Sequence, residues 1–198
     1  MEPEPGVTIH DKVGRSRLTE VVEPLDADVA QALLATAVAE TVRSALGARQ
    51  AEVELTLCGD AEMTRLNFDH MGERGPTDVL SFPLHEWSVE SGHSHLADED
   101  SRVPDGSPLV LGDVVIDVDQ AARQAAEGDW SVTEELALLA IHGTLHLLGH
   151  DHDDAEGEVA MRDAEHRTLT VLHRHYHDVD WKPGSLFDRA GHAIAAGY

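Results

Sequence analysis

SVTEELALLAIHGTLHLLGHDH, residues 131–152, holds a complete helix and four histidines, three of them, His142, His146 and His152, in a spacing seen in zinc peptidases. Ser131, followed three residues later by Glu134, is the capping-box pattern that opens a helix. The apolar run then continues to Leu148, and Gly149 stands where a left-handed residue ends a helix and turns the chain back. A helix is therefore predicted over 131–149. His142 and His146 lie four residues apart, so both imidazoles project from one face about one turn apart. That separation suits two ligands of a single tetrahedral zinc, at about 2.0–2.1 Å from each nitrogen. The Gly149 turn brings His152 round as a third ligand. Three protein ligands leave the fourth position open, which distinguishes a catalytic zinc from a closed structural one. A water held there ionises near neutral pH and becomes a nucleophile.

The spacing of the three histidines equals that of the metzincin peptidases, H-E-x-x-H-x-x-G-x-x-H. In those enzymes the Glu after the first His polarises the water on the metal. Here Gly143 occupies that place, so a peptidase or amidohydrolase of that kind is disfavoured. Glycine costs up to about 1 kcal/mol in a helix interior relative to alanine. Its presence is read as room beside the metal, enough for a bulky substrate such as a phosphodiester.

Outward from this helix, the pattern predicts an α+β plan with one mixed sheet against helices. Strands are expected at 6–11, at 51–58, where Val53, Leu55 and Leu57 alternate with polar residues, within 75–83 between two prolines, and at 109–118, the most apolar and central one. Helices are expected at 26–48, starting near Asp26 or Asp28, at 60–71, capped by Asp60, and at 119–127 and 155–175. Residues 85–108 turn polar, acidic and rich in Ser, Gly and His, and are expected as a long mobile loop. The stretch 178–198 has no period and is expected as a peripheral tail. The whole of 1–198 is taken as one domain with its core at about 6–175.

The composition bounds the function. With 14 basic and 38 acidic residues, the formal net charge is −24. Such a field repels nucleic acid at long range, so an RNA partner needs a local basic patch or a metal, and DNA is not expected. No apolar run approaches the length of a membrane span. The start, MEPEPG, has no feature of a secretory or transit peptide. Cys58 is the only cysteine and sits in a strand pattern as a buried small hydrophobe. A cytoplasmic address is expected. Oligomeric state is not legible.

HGTLHLLGHDH (142–152) resembles the H-G-x-L-H-L-x-G-Y-D-H signature of the YbeY endoribonuclease family, the ribosomal RNA maturation factors. LN at 66–67 followed by PTDVLSFP (76–83), LGDVVID with AARQAAE (111–127), and Met161, Glu165 and Leu169 are similar to further motifs of that family, in the same order. The resemblance runs from about the first strand to about residue 175. It implies a zincin-like fold and one zinc on His142, His146 and His152. It also implies single-strand endoribonuclease activity in small-subunit ribosomal RNA maturation and ribosome quality control. Two positions depart from the pattern. His150 stands where the family usually has Tyr, and Met71 where many members have an Arg able to hold a phosphate bidentately. Arg74 is either a substitute for that Arg or an exposed loop charge.

No general base is assigned. Asp151 is either a turn residue or a group that acts as base or orients an imidazole. His150 is expected to stand off the metal or in solvent. Asp78 and Ser81 are candidates to line a cleft, with Asp78 alternatively fixing the turn before its strand. Asp113, a carboxylate in an apolar strand, is either cleft-lining or a structural acceptor. The histidines of 93–95 and 173–177 are read as solvated surface, and Trp87, Trp130 and Trp181 as packing residues. Against a nuclease stands a non-catalytic, zinc-stabilised ribosome-assembly factor. In that case His150 or Asp151 would close the fourth metal position.

Overall fold

In the computed structural model, which describes residues 5–47, 49–90, 93–96 and 107–179, the chain runs β1 (Gly6–Asp11), α1 (Arg15–Val21), α2 (Ala27–Leu46), β2 (Ala51–Cys58), α3 (Asp60–Met71), β3 (Val79–Pro83), β4 (Trp87–Glu90), β5 (His93–Leu96), β6 (Leu109–Asp117), α4 (Val118–Gly128), α5 (Val132–Leu147) and α6 (Ala155–His175). Four strands form one sheet in the order β1-β2-β6-β3. β1, β2 and β6 are parallel, and β3 closes the edge antiparallel to β6, with Val79 opposite Ile116 and Pro83 opposite Gly112. This is the expected α+β fold with a mixed sheet, and β6 is internal to it.

α5 is central because its sequence is apolar nearly all round, the condition under which a helix is buried on every side. Only Val132 and His146 of its residues escape full burial. Its start is held by a complete capping box, with Ser131 Oγ accepting from the Glu134 backbone at 3.2 Å and Glu134 Oε2 accepting from the Ser131 backbone at 2.8 Å. It packs against β3, β6, α2, α4 and α6. α2 adds the stripe Ala30, Leu33, Leu34, Ala37 and Val38 to the same core, capped by Asp26, whose side chain accepts from the Asp28 backbone. The opposite sheet face carries a smaller cluster of Cys58, Met63, Leu80 and Val115 under α3. Cys58 is buried as expected, and burial with Asp117 nearby pushes its thiol up to about 12.

Two expectations are corrected, for α3 and for 85–108, and one element, α1, was not anticipated. The cap of α3 lies one residue earlier than expected: Gly59 is its N-cap, and Asp60 is the first helical residue, turned to accept from Arg123 at 3.0 and 2.5 Å. α1 has seven residues with only Leu18 buried, too short to show a period in sequence. The stretch 85–108 is not a featureless loop, since β4 and β5 pair as a hairpin, Trp87 opposite Leu96. Its start is fastened to β6, with the Leu84 backbone donating to the Leu111 carbonyl at 3.0 Å and His85 Nε2 to the Val110 carbonyl at 2.8 Å. Residues 91–92 and 97–106 of that stretch, and the tail from 180 with Trp181, lie outside the described residues, as do the side chains of 93–95.

Candidate metal centre

The C-terminus of α5 ends in the hydrogen bonds of a Schellman motif: the His150 backbone donates to the Leu145 carbonyl and the Gly149 backbone to the His146 carbonyl, each at 3.0 Å. Gly149 has φ +82°, the left-handed conformation that favours glycine. A Cβ there would also lie 2.4 Å from Trp87 Cβ, so the β4 strand covers the turn. The chain then doubles back, and the Asp154 side chain caps α6 by accepting from the Gly157 backbone at 2.8 Å.

This local geometry brings His142, His146 and His152 together. Their rings are 4.7, 5.5 and 5.2 Å apart between centroids, pair by pair, and one ring nitrogen from each lies within 4.8 Å of the others. His142 Nε2 and His146 Nε2 are 3.1 Å apart. Two nitrogens at about 2.0–2.1 Å from one tetrahedral ion are about 3.3–3.4 Å apart, so the pair is close to bridging distance. His152 Nε2 is buried with no hydrogen-bond partner. Burial, then the neighbouring His142 and His152, lower the His146 pKa to about 4, so this imidazole is neutral near pH 7 with its lone pair available. An orphaned buried nitrogen and three convergent imidazoles are what a borderline-soft divalent ion requires, and the donor set fits zinc chemistry. Neither His150 nor Asp151 contributes an atom to that set.

The other candidates fall elsewhere. His150 is buried, 5 % exposed, rather than solvated, and burial followed by the nearby Arg167 lowers its pKa. Asp151 is an exposed turn residue whose Oδ1 accepts from the His152 backbone at 2.7 Å. Asp78 is a buried structural acceptor, taking hydrogen bonds from the Val79 backbone and from Gln124 Nε2, each at 2.8 Å. Ser81 Oγ donates to the Gly143 carbonyl at 3.0 Å and so fastens β3 to α5. Asp113 lies beside Glu54 on the sheet face away from α5, where burial and Glu54 raise its pKa, so the cleft-lining option fails. Asn67 Nδ2 donates to the Gly75 carbonyl at 3.0 Å, while Met71 and Arg74 are exposed. Trp130 is a packing residue with its indole N–H donated to Glu135.

Gly143 does not face open space. A Cβ on it would lie 2.6 Å from Val114 Cγ1 and 3.1 Å from both Val79 Cγ2 and Ser81 Oγ. The glycine lets α5 sit directly on β3 and β6, and the reading of it as room for a substrate is corrected.

One contact was not anticipated. His142 Nδ1 donates to Glu165 Oε1 of α6 at 2.8 Å. The sequence does hold a signal for it. Glu165 interrupts the buried stripe of Met161, Ala164, Thr168, Leu169 and Leu172, and a carboxylate in such a stripe requires a partner.

A family model described as Endoribonuclease YbeY matches residues 19–173. Endoribonuclease YbeY of Moorella thermoacetica is 44% identical over 141 residues, covering 71% of this chain and 82% of that protein. Its namesake from Desulfitobacterium hafniense is 39% identical over 140 residues, covering 71% and 83%. Among solved structures, the solution structure of TM1509 from Thermotoga maritima is similar over 90% of this chain and 98% of that one, at 23% identity and a TM-score of 0.48.

Proposed function

This chain belongs to the YbeY endoribonuclease family, and on that premise we propose that it is a zinc-dependent single-strand endoribonuclease of small-subunit ribosomal RNA maturation and ribosome quality control, with His142, His146 and His152 as the metal ligands. It is a metal-dependent hydrolase of RNA. The observation that carries the ligand assignment is the convergence of three imidazole nitrogens around a buried, unpartnered His152 Nε2.

Zinc bound there supplies a Lewis acid beside the phosphodiester. The chain's own contribution is to hold His142 and His146 on one rigid, buried helix and to return His152 through the Gly149 turn. Gly143 brings no carboxylate, and its side of the helix is filled by the sheet, which leaves the peptidase arrangement without its base. The ligand set contains three imidazoles and neither His150 nor Asp151, which favours an open fourth position over a closed structural site.

We further propose that 1–198 acts as one domain in the cytoplasm, with ribosomal RNA and the small subunit as partners, and neither DNA nor membrane. Among the described residues no helix is long and apolar enough to cross a membrane. The competing reading is a non-catalytic, zinc-stabilised assembly factor, favoured by the exposed Met71 in place of a guanidinium and by the net charge of −24. Metal analysis together with cleavage of single-stranded ribosomal RNA, for wild type and His146→Ala, separates the two. One zinc per chain, with cutting that the variant loses, supports the nuclease. Zinc binding without cutting in the wild type supports the assembly factor.

A further inference from the structure

We infer that Glu165 is a positioning residue of the metal site, holding His142 in the tautomer and orientation that ligation requires and so raising the affinity for zinc. This rests on the proposed assignment of His142, His146 and His152 as ligands.

Neutral imidazole carries one N–H and one lone pair, and only the lone-pair nitrogen binds a metal. When Nδ1 donates to Glu165 Oε1, the lone pair is on Nε2. Nε2 is the atom that stands 3.1 Å from His146 Nε2, on the side where the three rings converge. The hydrogen bond thus selects the tautomer that the site uses. It also fixes the ring plane, because both partners are held. The His142 side chain is 5 % exposed and that of Glu165 is 14 % exposed. Each rides on its own packed helix, α5 and α6, which pack on one another.

Packing does not account for this residue. Glu165 lies among Met161, Ala164, Thr168, Leu169 and Leu172, where an apolar side chain would fill the α5–α6 seam with no charge to desolvate. A carboxylate is retained there although it is costly, and the partner it meets is a proposed ligand. Carboxylates behind a ligating histidine raise its basicity, and their removal typically weakens metal binding about 10–100-fold.

The test measures zinc affinity by competition with a chromophoric chelator for full-length wild type, Glu165→Gln, Glu165→Met and His146→Ala. Glu165→Met removes the acceptor and restores an apolar stripe, and an affinity about 10–100-fold weaker is expected. Glu165→Gln keeps an acceptor and loses the charge, and an intermediate affinity is expected. In the zinc-loaded wild type, imidazole proton–nitrogen correlation spectra should show His142 protonated at Nδ1, and Glu165→Met should lose that signal. The apo proteins should melt at or above the wild-type temperature in Glu165→Met. Unchanged zinc affinity in both Glu165 variants, with His146→Ala unable to hold zinc, overturns this inference alone. Wild-type zinc affinity in His146→Ala overturns the ligand assignment, and this inference falls with it.

Discussion

Among the described residues, two groups of side chains bring three metal-capable atoms within 4.8 Å: His142, His146 and His152 at the C-terminal end of α5, and Asp60, Asp117 and Asp119 where β6 meets α3 and α4. In the aspartate group most of the charge is met by arginines and backbone donors, although Asp117 Oδ2, like His152 Nε2, is buried with no hydrogen-bond partner. Arg123 holds Asp60, Arg17 Nη2 donates to Asp119 at 2.9 Å, and Asp117 Oδ1 caps α4 by accepting from the backbones of Asp119 and Gln120. Burial, and then Asp60, push Asp117 up to about 7, so a proton satisfies much of what remains. In the histidine group the converging nitrogens meet chiefly one another, with His142 Nε2 and His146 Nε2 within hydrogen-bond distance at 3.1 Å. His152 Nε2 has no partner, and two Nε2 atoms face one another. The two groups differ in what faces the converging atoms: arginines and a proton in the aspartate group, other imidazoles in the histidine group.

His146→Ala is the sharpest way to break this contrast. It should abolish stoichiometric zinc and lower RNA cleavage by about a thousandfold or more, since the Lewis acid supplies several kcal/mol. Asp117→Asn should leave zinc content and cleavage as in wild type. Zinc retained by the first variant or lost by the second, in metal analysis of the purified proteins, would reverse the roles of the two clusters.

Gly143→Ala probes the wall behind the ligands. The added methyl meets Val114 Cγ1, a short side chain in a packed strand with little freedom to yield. Overpacking of this kind costs about 1–3 kcal/mol, only partly offset by the better helix propensity of alanine. Denaturant unfolding should show a net loss of about 1–2 kcal/mol, with zinc still bound. Stability at or above wild type would mean that the helix is free to move off the sheet. Ser131→Ala, at the other end of α5, should cost about 1 kcal/mol through the lost cap, measured the same way.

The smallest expected effect is a pH dependence confined to the aspartate group. Asp117 has a folded pKa raised from 3.8 to about 7. Its contribution to stability is therefore fully present below pH 3.8 and is lost as the pH rises through about 7. Asparagine keeps the oxygen that caps α4 and cannot ionise. Thermal melts at pH 5 and pH 8 should show Asp117→Asn flattening the alkaline decline of the wild type. Parallel declines in the two proteins would show that Asp117 does not carry it.

What could be read in advance follows interaction range. The α5 capping box, its apolar body and the Gly149 turn involve groups at most about six residues apart, so their partners are visible together in the sequence. The histidine convergence follows from that local geometry and needs no distant partner. The same holds for the two long strands β2 and β6 and for the α2 stripe. The hairpin of β4 and β5 escaped because each strand has four residues, too few for the alternation of Trp87, Ser88, Val89 and Glu90 to stand out in a polar stretch; what holds Trp87 is the remote Gly149 turn. α1 escaped because one buried leucine makes no period.

Composition, spacing and local hydrogen bonding sufficed for the α+β class, the central helix and the three histidines, since each depends on neighbours along the chain. Only packing between distant segments decided what surrounds them. Gly143 proved to be a contact with Val114, 29 positions away in the numbering, and not a space for substrate. Glu165 became the partner of His142 across 23 positions because α6 packs back onto α5. A side chain's neighbours across such separations depend on how whole elements stack, and no local pattern encodes that.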